Sequence, residues 1–375
     1  MRLAYLSTDP GIAWGGAKGA SVHLGEIVEA LAREGAEVLV LVSAVAPGAP
    51  EPPAGATVEP LPSPRKHVPV DELLAAEAGL AAWLEERIGR FGAAALHERL
   101  ALHSAAGSAA AHALGIPHLI ELNSPLPEEA AKYRELERPE EALSLERAAL
   151  AGADLVFPVS SPLADYATER GARRVEVMPN AVWLQRFDGL PARNGGDPPV
   201  AVFAGALRPW HGVETIAEAW RLLGTEAPPL RVIGDGPGRD ALEAIDAEMM
   251  GAVPHDEVPA LLAGADIGLA PYSADAPRYF SPLKLFEYLA AGLAVVAADI
   301  PGVSDIVGRD GAVLIAPGDA DALAVAVLAL AADPDERARL GRAARGLAEL
   351  HTWERRARRI LDAVHELSPQ GVIPA

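Results

Sequence analysis

Lys284 and Glu287 stand three residues apart in the segment YFSPLKLFEYLAAG, which has the pattern of a helix. Ser281 suits the N-cap of that helix and Pro282 its first position, so Lys284 falls in the first turn. Residues three apart lie on one helix face. Lys284 and the helix N-terminus would hold a phosphate group, and the Glu287 carboxylate would accept two ribose hydroxyls. The segment therefore predicts a site for a ligand with phosphate at one end and a polyol at the other. The alternative is a surface ion pair worth under about 1 kcal/mol.

The loop at residues 205–212, GALRPWHG, follows a predicted strand and has glycine at both ends. Arg208 is predicted to clamp a phosphate group, because a planar guanidinium matches two phosphate oxygens at once. His211 is the second candidate for that role. The alternative is an exposed loop in which neither side chain binds a ligand.

The loop at residues 9–23, DPGIAWGGAKGASVH, carries glycines at positions 11, 15, 16 and 19. Glycine lets backbone N–H groups approach a ligand closely, and the following helix offers its positive N-terminal end. The spacing differs from the dinucleotide fingerprint GxGxxG. The loop is predicted to bind a ligand, and the alternative is a flexible connector.

Polar side chains also end two predicted strands in the first half of the chain. His97 ends the strand at residues 94–97, and Asn123 follows the strand at residues 118–122. Ligands bind at the carboxyl ends of parallel strands, so both side chains are expected to face a cleft. A histidine there would donate to a ligand hydroxyl or relay a proton, and the alternative is a hydrogen-bonded structural histidine.

These segments are positioned by a repeating pattern of strand and helix. Short apolar runs, each followed by a helical pattern, occur at residues 2–7, 37–43, 94–97, 118–122, 155–159, 175–178, 200–204, 230–233, 267–270, 294–298 and 312–315. This alternation predicts parallel sheets built from βαβ crossovers. So many strands divide better between two sheets than they pack into one.

A Gly/Pro-rich segment, DGLPARNGGDPP at residues 188–199, is the predicted domain boundary. We expect a Rossmann-like α/β domain at residues 1–190, a second at residues 198–350, and a closing helix within residues 351–375. Two such domains facing each other would bring the carboxyl ends of both sheets to a shared cleft.

The composition narrows the possible partners. The 375-residue chain has 52 acidic against 32 Lys and Arg residues, a formal net charge of −20, and no cysteine. A negative field disfavours nucleic acid and anionic membrane surfaces. We expect no required metal and a cytoplasmic location, since thiolate ligands, disulfides and HExxH-type spacing are lacking. Without an apolar run of about 18 residues, at most a transient membrane contact is expected, through Trp14 or Trp83.

The segment SPLKLFEYLAAG, with the VVA and PG that follow it, resembles the nucleotide-sugar segment of retaining glycosyltransferases of family 4. The resemblance extends over nearly the whole chain. In the first half it matches residues 9–23 to an acceptor loop and 178–182 to an inter-domain segment. In the second half it matches 205–212 to a diphosphate loop, 232–237 to the turn before a nucleobase pocket, 250–253 and 258–262 to the strand and helix that line this pocket, and 352–354 to a closing helix. It implies the GT-B fold, with two Rossmann-like domains across a cleft and a closing helix that returns to the first.

The motifs and the resemblance together give individual residues expected roles. The expected catalytic residues are His97, Arg208 and Lys284. Donor binding is assigned to Gly16, His211, Gly234, Asp235, Gly236, Val253, Ser281, Pro282, Leu283 and Glu287. The acceptor side is assigned to Gly15, Lys18, Arg99, Asn123 and Asn180.

The chain departs from the family pattern at two places. Many members carry a glutamate eight residues before the position of Glu287, and this chain has Tyr279 there. Many members also have an arginine and a lysine in the diphosphate loop where this chain has Ala206 and His211. The diphosphate would then be held by Arg208 and Lys284, with His211 as a third donor.

The resemblance implies a retaining hexosyltransferase that moves a hexose from a nucleoside-diphosphate sugar to an acceptor hydroxyl. No cofactor is expected beyond this donor, and the sequence does not name the acceptor. Two alternatives remain open on the same fold. One is a nucleotide-sugar epimerase or phosphorylase, and the other, raised by Tyr279, is a nucleotide-sugar-binding protein without catalysis.

Overall fold

The computed structural model describes residues 1–63, 65–190 and 198–368, and the chain forms two compact units. The first unit comprises Met1–Pro179 and the segment that begins at Trp353, and the second comprises Asn180–Thr352. Within the described ranges, no helix is both long and apolar enough to cross a membrane.

The first unit is built on a parallel sheet of six strands. The strands of the whole unit, including two outside this sheet, are β1 Arg2–Ser7, β2 Ala13–Trp14, β3 Glu37–Val42, β4 Ala44–Val45, β5 Ala56–Pro60, β6 Ala95–Arg99, β7 His118–Leu122 and β8 Leu155–Pro158. Its helices are α1 Gly19–Arg33, α2 Val70–Phe91, α3 Ala106–Leu114, α4 Leu126–Tyr133, α5 Pro139–Gly152, α6 Ser161–Glu169 and, after the second unit, α14 Trp353–Leu367. The sheet order is β5-β3-β1-β6-β7-β8, while β2 and β4 form a separate short pair.

The second unit repeats this arrangement. Its strands are β9 Ala201–Ala204, β10 Leu230–Ile233, β11 Glu248–Gly251, β12 Ile267–Ala270, β13 Ala294–Ala298 and β14 Val313–Ile315. Its helices are α7 Val213–Leu223, α8 Arg239–Glu243, α9 Val258–Ala263, α10 Leu283–Ala291, α11 Pro301–Val307, α12 Ala320–Ala332 and α13 Pro334–Ala348. The sheet order is β11-β10-β9-β12-β13-β14.

Both sheets have the strand order of a Rossmann fold. Counted along the chain within each sheet, the order is third, second, first, fourth, fifth and sixth strand. The order reverses between β1 and β6 in one unit and between β9 and β12 in the other. Ligands of open α/β sheets bind at this switch point, outside the carboxyl ends of the strands.

The strands are apolar because helices cover the sheets. In β3, EVLVLV, every residue except Glu37 is buried, and in β13, AVVAA, every residue is buried. Parallel strands enclosed on both faces read as continuous apolar runs, which is why these segments were recognisable from sequence. Strands β1, β7, β10, β12 and β13 have the bounds that the sequence predicted.

The strand predicted at residues 175–178 is wrong. Only a single bridge forms, between Val156 and Val175. The backbone N–H groups of Glu176 and Met178 do donate to the carbonyls of Val156 and Pro158. The ladder cannot continue because Pro158 has no N–H to return.

The edge strand β5 was not predicted. Its sequence, ATVEP, is half-exposed or exposed along its length, so it lacks the apolar run that marks a buried strand.

The two units divide before the predicted boundary at residues 188–199, part of which lies outside the described residues. The division falls between Pro179 and Asn180. Val182 and Phe187 are buried in the core of the second unit, and the Val182 N–H donates to the His351 carbonyl at 3.0 Å. Residues 180–188 therefore pack with the unit that follows them.

Candidate active site

Lys284 lies in the first turn of α10 with its ammonium group enclosed. The side chain is 8% exposed, and Nζ has no hydrogen-bond partner among the described residues. Nζ lies 3.9 Å from the centroid of the Phe203 ring and 5.8 Å from that of Tyr272. Burial lowers the pKa of the Lys284 ammonium to about 7, against a smaller opposing effect of Glu287. A buried cation without a partner is costly, and it marks a place where an anion would be stabilised.

Gly205, which follows β9, makes room for this ammonium group. A Cβ atom on Gly205 would lie 3.0 Å from Lys284 Nζ, and the glycine φ of +128° is one that other residues rarely adopt. The Lys284 ammonium group therefore lies against the carboxyl end of β9, one of the two strands between which the sheet order reverses.

The predicted N-cap of α10 is wrong by one residue. The helix begins at Leu283, and Pro282 occupies the capping position. Ser281 instead uses its Oγ to accept the N–H of Asn180 at 2.8 Å, and its carbonyl accepts the Asn180 side-chain amide. This bond places Asn180 in the second unit, beside the donor segment to which it was not assigned. Gly292 ends the helix in the left-handed conformation, as predicted.

The loop at residues 205–212, the predicted diphosphate loop, is hydrogen-bonded to the turn at residues 234–236. The N–H groups of Gly205 and Leu207 donate to the carbonyls of Ile233 and Asp235 at 2.8 and 3.0 Å. A Cβ on Gly234 would lie 2.0 Å from the Gly205 carbonyl oxygen, and one on Gly236 would lie 2.9 Å from the Leu207 nitrogen. Both glycines are thus required by close packing of two backbones. Asp235 is exposed, with its carboxylate accepting the Gly236 N–H.

Arg208 and His211 differ in what they offer a ligand. Arg208 is exposed at the start of the short turn Pro209–His211, and its guanidinium lies 6.0 Å from the Trp210 ring centroid. His211 Nδ1 lies 2.6 Å from the Ala206 carbonyl oxygen, so this nitrogen carries the hydrogen. Burial, with nearby Lys284, lowers the pKa of His211 to about 3. The neutral ring then presents Nε2 as an acceptor, which is not the third donor expected from the sequence.

Glu287 is bonded to His255. The Nε2 atom of His255 lies 2.7 Å from Glu287 Oε1, and the Glu287 side chain is 13% exposed. Lys284 and Glu287 therefore do not form the surface ion pair that was the alternative reading of this segment. Val253, two residues before His255, packs against the apolar core of this unit, as do Leu261 and Phe280.

In the first unit, a buried polar layer is built around Glu121. Strand register places Arg99 beside Ser7 and Glu121, and Tyr5 beside His97. Glu121 is fully buried: Oε1 accepts Arg99 and Asn123, both at 2.6 Å, and Oε2 accepts His23 at 2.8 Å and Arg356 at 3.1 Å. These partners come from β6, the end of β7, α1 and α14. Two predicted acceptor-side residues, Arg99 and Asn123, are therefore held by one carboxylate.

The electrostatics of the layer leave Glu121 ionised and His23 neutral. Burial alone would raise the pKa of the Glu121 carboxyl, but His23 and the Arg356 charge hold it well below its ordinary range. Burial lowers the pKa of His23 to about 4, although Glu121 opposes this shift. The guanidiniums of Arg356 and Arg99 are thus the charges that balance this carboxylate.

His97 lies inside the first unit and does not end its strand. β6 continues to Arg99, so the predicted end at residue 97 is two residues short. The His97 ring is fully buried, with centroids 5.3 Å from Tyr5 and 6.4 Å from Phe157. Its Nε2 is 3.8 Å from Glu121 Oε2, too far for a hydrogen bond, and burial lowers its pKa. In the described part of the chain, neither ring nitrogen has a hydrogen-bond partner.

The glycines at positions 15 and 16 are explained by packing of the first loop. A Cβ on Gly15 would lie 2.5 Å from that of Ala49, and one on Gly16 would lie 2.7 Å from Ser21 Oγ. Lys18 is exposed at the capping position of α1. Trp14 is not the exposed side chain that a membrane contact through it would require, since it is 4% exposed and its indole N–H donates to the Pro50 carbonyl. Trp83 is half-buried against the apolar core.

Sequence reasoning missed three members of the buried layer: His23, Glu121 and Arg356. Glu121 carried a usable signal, because a glutamate within the apolar strand HLIEL must be paired if the strand is buried. Arg356 carried none, since only the packing of α14 brings it to β7. For a metal ion, the residues that the structure covers contain no group of three or more His, Asp or Glu side chains suitably placed.

Both halves of the chain match known protein families. Residues 18–181 match the family described as "Glycosyl transferase 4-like domain", and residues 198–333 match "Glycosyl transferases group 1". The chain therefore belongs to the glycosyltransferases of the GT-B type, a class of transferase enzymes. The family, the GT-B fold and the glycosyltransferase class expected from the sequence are confirmed.

Two curated relatives indicate the range of this class. The chain is 30% identical over 188 residues to the putative teichuronic acid biosynthesis glycosyltransferase TuaC of Bacillus subtilis. The aligned region covers 48% of this chain and 47% of TuaC. The chain therefore spans about half of that relative's length. It is 28% identical over 397 residues to the D-inositol 3-phosphate glycosyltransferase of Pseudarthrobacter chlorophenolicus, covering 94% and 91% of the two chains.

Two solved structures share the fold over nearly the whole chain. Sucrose-phosphate synthase from Thermosynechococcus elongatus has a TM-score of 0.75 at 21% identity, and 98% of each chain is covered. Anabaena HepE in complex with UDP has a TM-score of 0.73 at 17% identity, and 98% of this chain and 100% of that chain are covered.

Replacing Arg356 should destabilise the protein strongly. An Arg356→Met variant leaves the buried Glu121 carboxylate without one of its two balancing charges, at a cost of about 3–5 kcal/mol. Arg358→Met is the matched control, because Arg358 lies on the same helix and pairs with Glu34 at the surface. We expect a much smaller loss for the control in urea titrations followed by circular dichroism. Equal losses of unfolding free energy in the two variants would show that Arg356 does not stabilise the buried Glu121 carboxylate.

Replacing Lys284 should stabilise the protein in the absence of ligand, in a pH-dependent way. The folded-state pKa of about 7 lies below the ordinary value of 10.5, so the unfolded chain binds more protons between these values. Wild-type stability should therefore rise with pH across this window. Lys284→Met removes the buried charge and should add roughly 2–4 kcal/mol near pH 7 and little near pH 10. A gain independent of pH in parallel denaturation series would contradict the buried ammonium.

Proposed function

We propose that this protein is a retaining hexosyltransferase that moves a hexose from a nucleoside-diphosphate sugar to an acceptor hydroxyl, without a metal ion. The observation that carries the proposal is the Lys284 ammonium, buried without a hydrogen-bond partner where the strand order of the second sheet reverses. A diphosphate placed there would supply the missing counter-charge. Glu287, one helical turn further, would accept the ribose hydroxyls.

The reaction needs positive charge where the diphosphate departs. The bond between the sugar C1 and the diphosphate oxygen breaks, and a bond from C1 to the acceptor oxygen forms on the same face. Lys284, Arg208 and the N-terminal end of α10 would stabilise the negative charge that develops on the leaving group. A phosphate oxygen of that leaving group takes the acceptor proton, so no dedicated carboxylate base is required. Retention follows from the family resemblance.

The acceptor side of the proposal rests on the Glu121 layer. Arg99 and Asn123 each donate to Glu121 Oε1, which fixes both side chains at the carboxyl end of β6 and β7. Hydrogen-bonding side chains that are held rigidly can orient the hydroxyl group of the acceptor substrate at low entropic cost. His97 is fully buried with its Nε2 3.8 Å from Glu121 Oε2, and it would influence the acceptor only through this carboxylate.

UDP is the first donor nucleotide to test. HepE, a fold neighbour, was solved with UDP, which supports including it in a panel with GDP and ADP. A nucleotide at about 100 times its dissociation constant should add roughly 2.7 kcal/mol to wild-type stability in thermal melts. Lys284→Met and Arg208→Ala should lose this gain. Arg221→Ala, at an exposed position at the end of α7, should keep it. If no nucleotide stabilises the wild type, the donor site is wrong.

Once a stabilising nucleotide is known, an assay for hydrolysis or transfer of the corresponding nucleotide sugar in the presence of EDTA distinguishes an enzyme from a binding protein.

The affinity for the nucleotide should fall as pH rises above about 7. Lys284 must be protonated to balance the diphosphate, and in the unliganded protein it loses its proton near that pH. Binding above this pH requires proton uptake, which weakens the affinity by up to about tenfold per pH unit. Isothermal titration from pH 6 to 9 measures the slope. Lys284→Met should bind weakly with no such slope, whereas the same slope in this variant would assign the titration to another group.

A further inference from the structure

His255 occupies a defined place beside the predicted ribose site. It begins the short turn His255–Glu257, between β11 and α9. Its Nε2 lies 2.7 Å from Glu287 Oε1, and the side chains of His255 and Glu287 are 35% and 13% exposed. The family resemblance implies no role for His255, and His255 is not among the positions at which the chain departs from the family pattern.

The bond has a clear direction. An ionised carboxylate only accepts hydrogen bonds, so Nε2 of His255 carries the hydrogen and donates it to Oε1. Glu287 also lies three residues after Lys284 on α10, so the two side chains share one face of this helix. Among the described residues, the hydrogen bond from His255 engages Oε1 of Glu287 and leaves Oε2 without a hydrogen-bond partner. One oxygen is therefore held by the protein, while the other remains to accept hydroxyl groups.

Orientation of this carboxylate matters for a polyol ligand. A glutamate with mobile torsions loses rotational freedom when it accepts two neighbouring hydroxyls, and this loss weakens binding. A hydrogen bond that fixes the carboxylate beforehand removes part of that cost. Because His255 is partly exposed, its bond adds little to folding stability, and its effect should fall on the ligand.

We propose that His255 is a positioning residue for the ribose: it orients Glu287 so that the donor site selects ribonucleotides over 2′-deoxyribonucleotides. The inference rests on the proposed function, since it assumes that the second unit binds a nucleoside diphosphate. It extends that function from phosphate binding to sugar selectivity. Val253, which packs on the core two residues earlier, anchors the start of the segment that carries His255.

The test compares ribose and deoxyribose forms of one nucleotide by isothermal titration. The panel UDP, GDP and ADP first identifies the diphosphate that the wild type binds most tightly, and its 2′-deoxy form is then titrated. We expect the wild type to prefer the ribose form by about tenfold, the value of one hydrogen bond to a charged group. His255→Ala should weaken the ribose form by about the same factor and leave the deoxy form nearly unchanged. Asp256→Ala, in the same turn, is the matched control and should keep the preference.

A double-mutant cycle tests whether His255 acts through Glu287. If it does, the His255→Ala and Glu287→Ala pair should bind no more weakly than Glu287→Ala alone. Melting temperatures of all variants exclude unfolding as the cause. If His255→Ala weakens both nucleotide forms equally, or if the two effects add, the inference is overturned while the nucleotide site stands. If the wild type binds no nucleotide, the proposed function fails and this inference fails with it.

Discussion

The candidate donor site in the second unit depends on one buried amine, that of Lys284. Lys284 is enclosed by Phe203, Tyr272 and the Gly205 backbone, with no hydrogen-bond partner for Nζ within the described structure. Such an arrangement is unfavourable for folding, and the surrounding loops maintain it: the 205–207 and 234–236 segments are joined backbone to backbone. An anion bound beside Lys284 would offset this electrostatic cost. A loss of folding stability at a position that favours ligand binding is typical of functional sites.

The first unit, by contrast, surrounds its buried charge with hydrogen-bond donors. Glu121 is as deeply enclosed as Lys284, yet four side chains donate to its two oxygens. A fully satisfied buried ion is rigid, and breaking it is costly. Its effect is to fasten α14 to the sheet through Arg356 and to hold Arg99 and Asn123 in place. One unit thus leaves a cation available to a ligand, while the other uses an anion to fix side chains.

Several parts of the site were predictable because they depend on local sequence. The Lys284–Glu287 spacing on one helix face, the Gly292 termination of α10 and the loop bounded by Gly205 and Gly212 follow from neighbouring residues. Other parts were not. The tautomer of His211 depends on the Ala206 carbonyl. His97 lies within β6 because this strand continues for two further residues. Asn180 is held by Ser281, which lies 101 positions away in the sequence.

The sequence by itself determined the two parallel sheets, most strand positions and the family, because buried parallel strands and helix-start motifs are written in consecutive residues. It also determined which residue types were available for phosphate and hydroxyl groups. Tertiary structure alone decided which of them are buried, which are bonded to one another, and which remain available. Arg356 and Glu121 lie 235 positions apart, and His255 and Glu287 lie 32 positions apart. No local pattern encodes such pairs, since burial and hydrogen bonding depend on what the folded chain packs against each side chain.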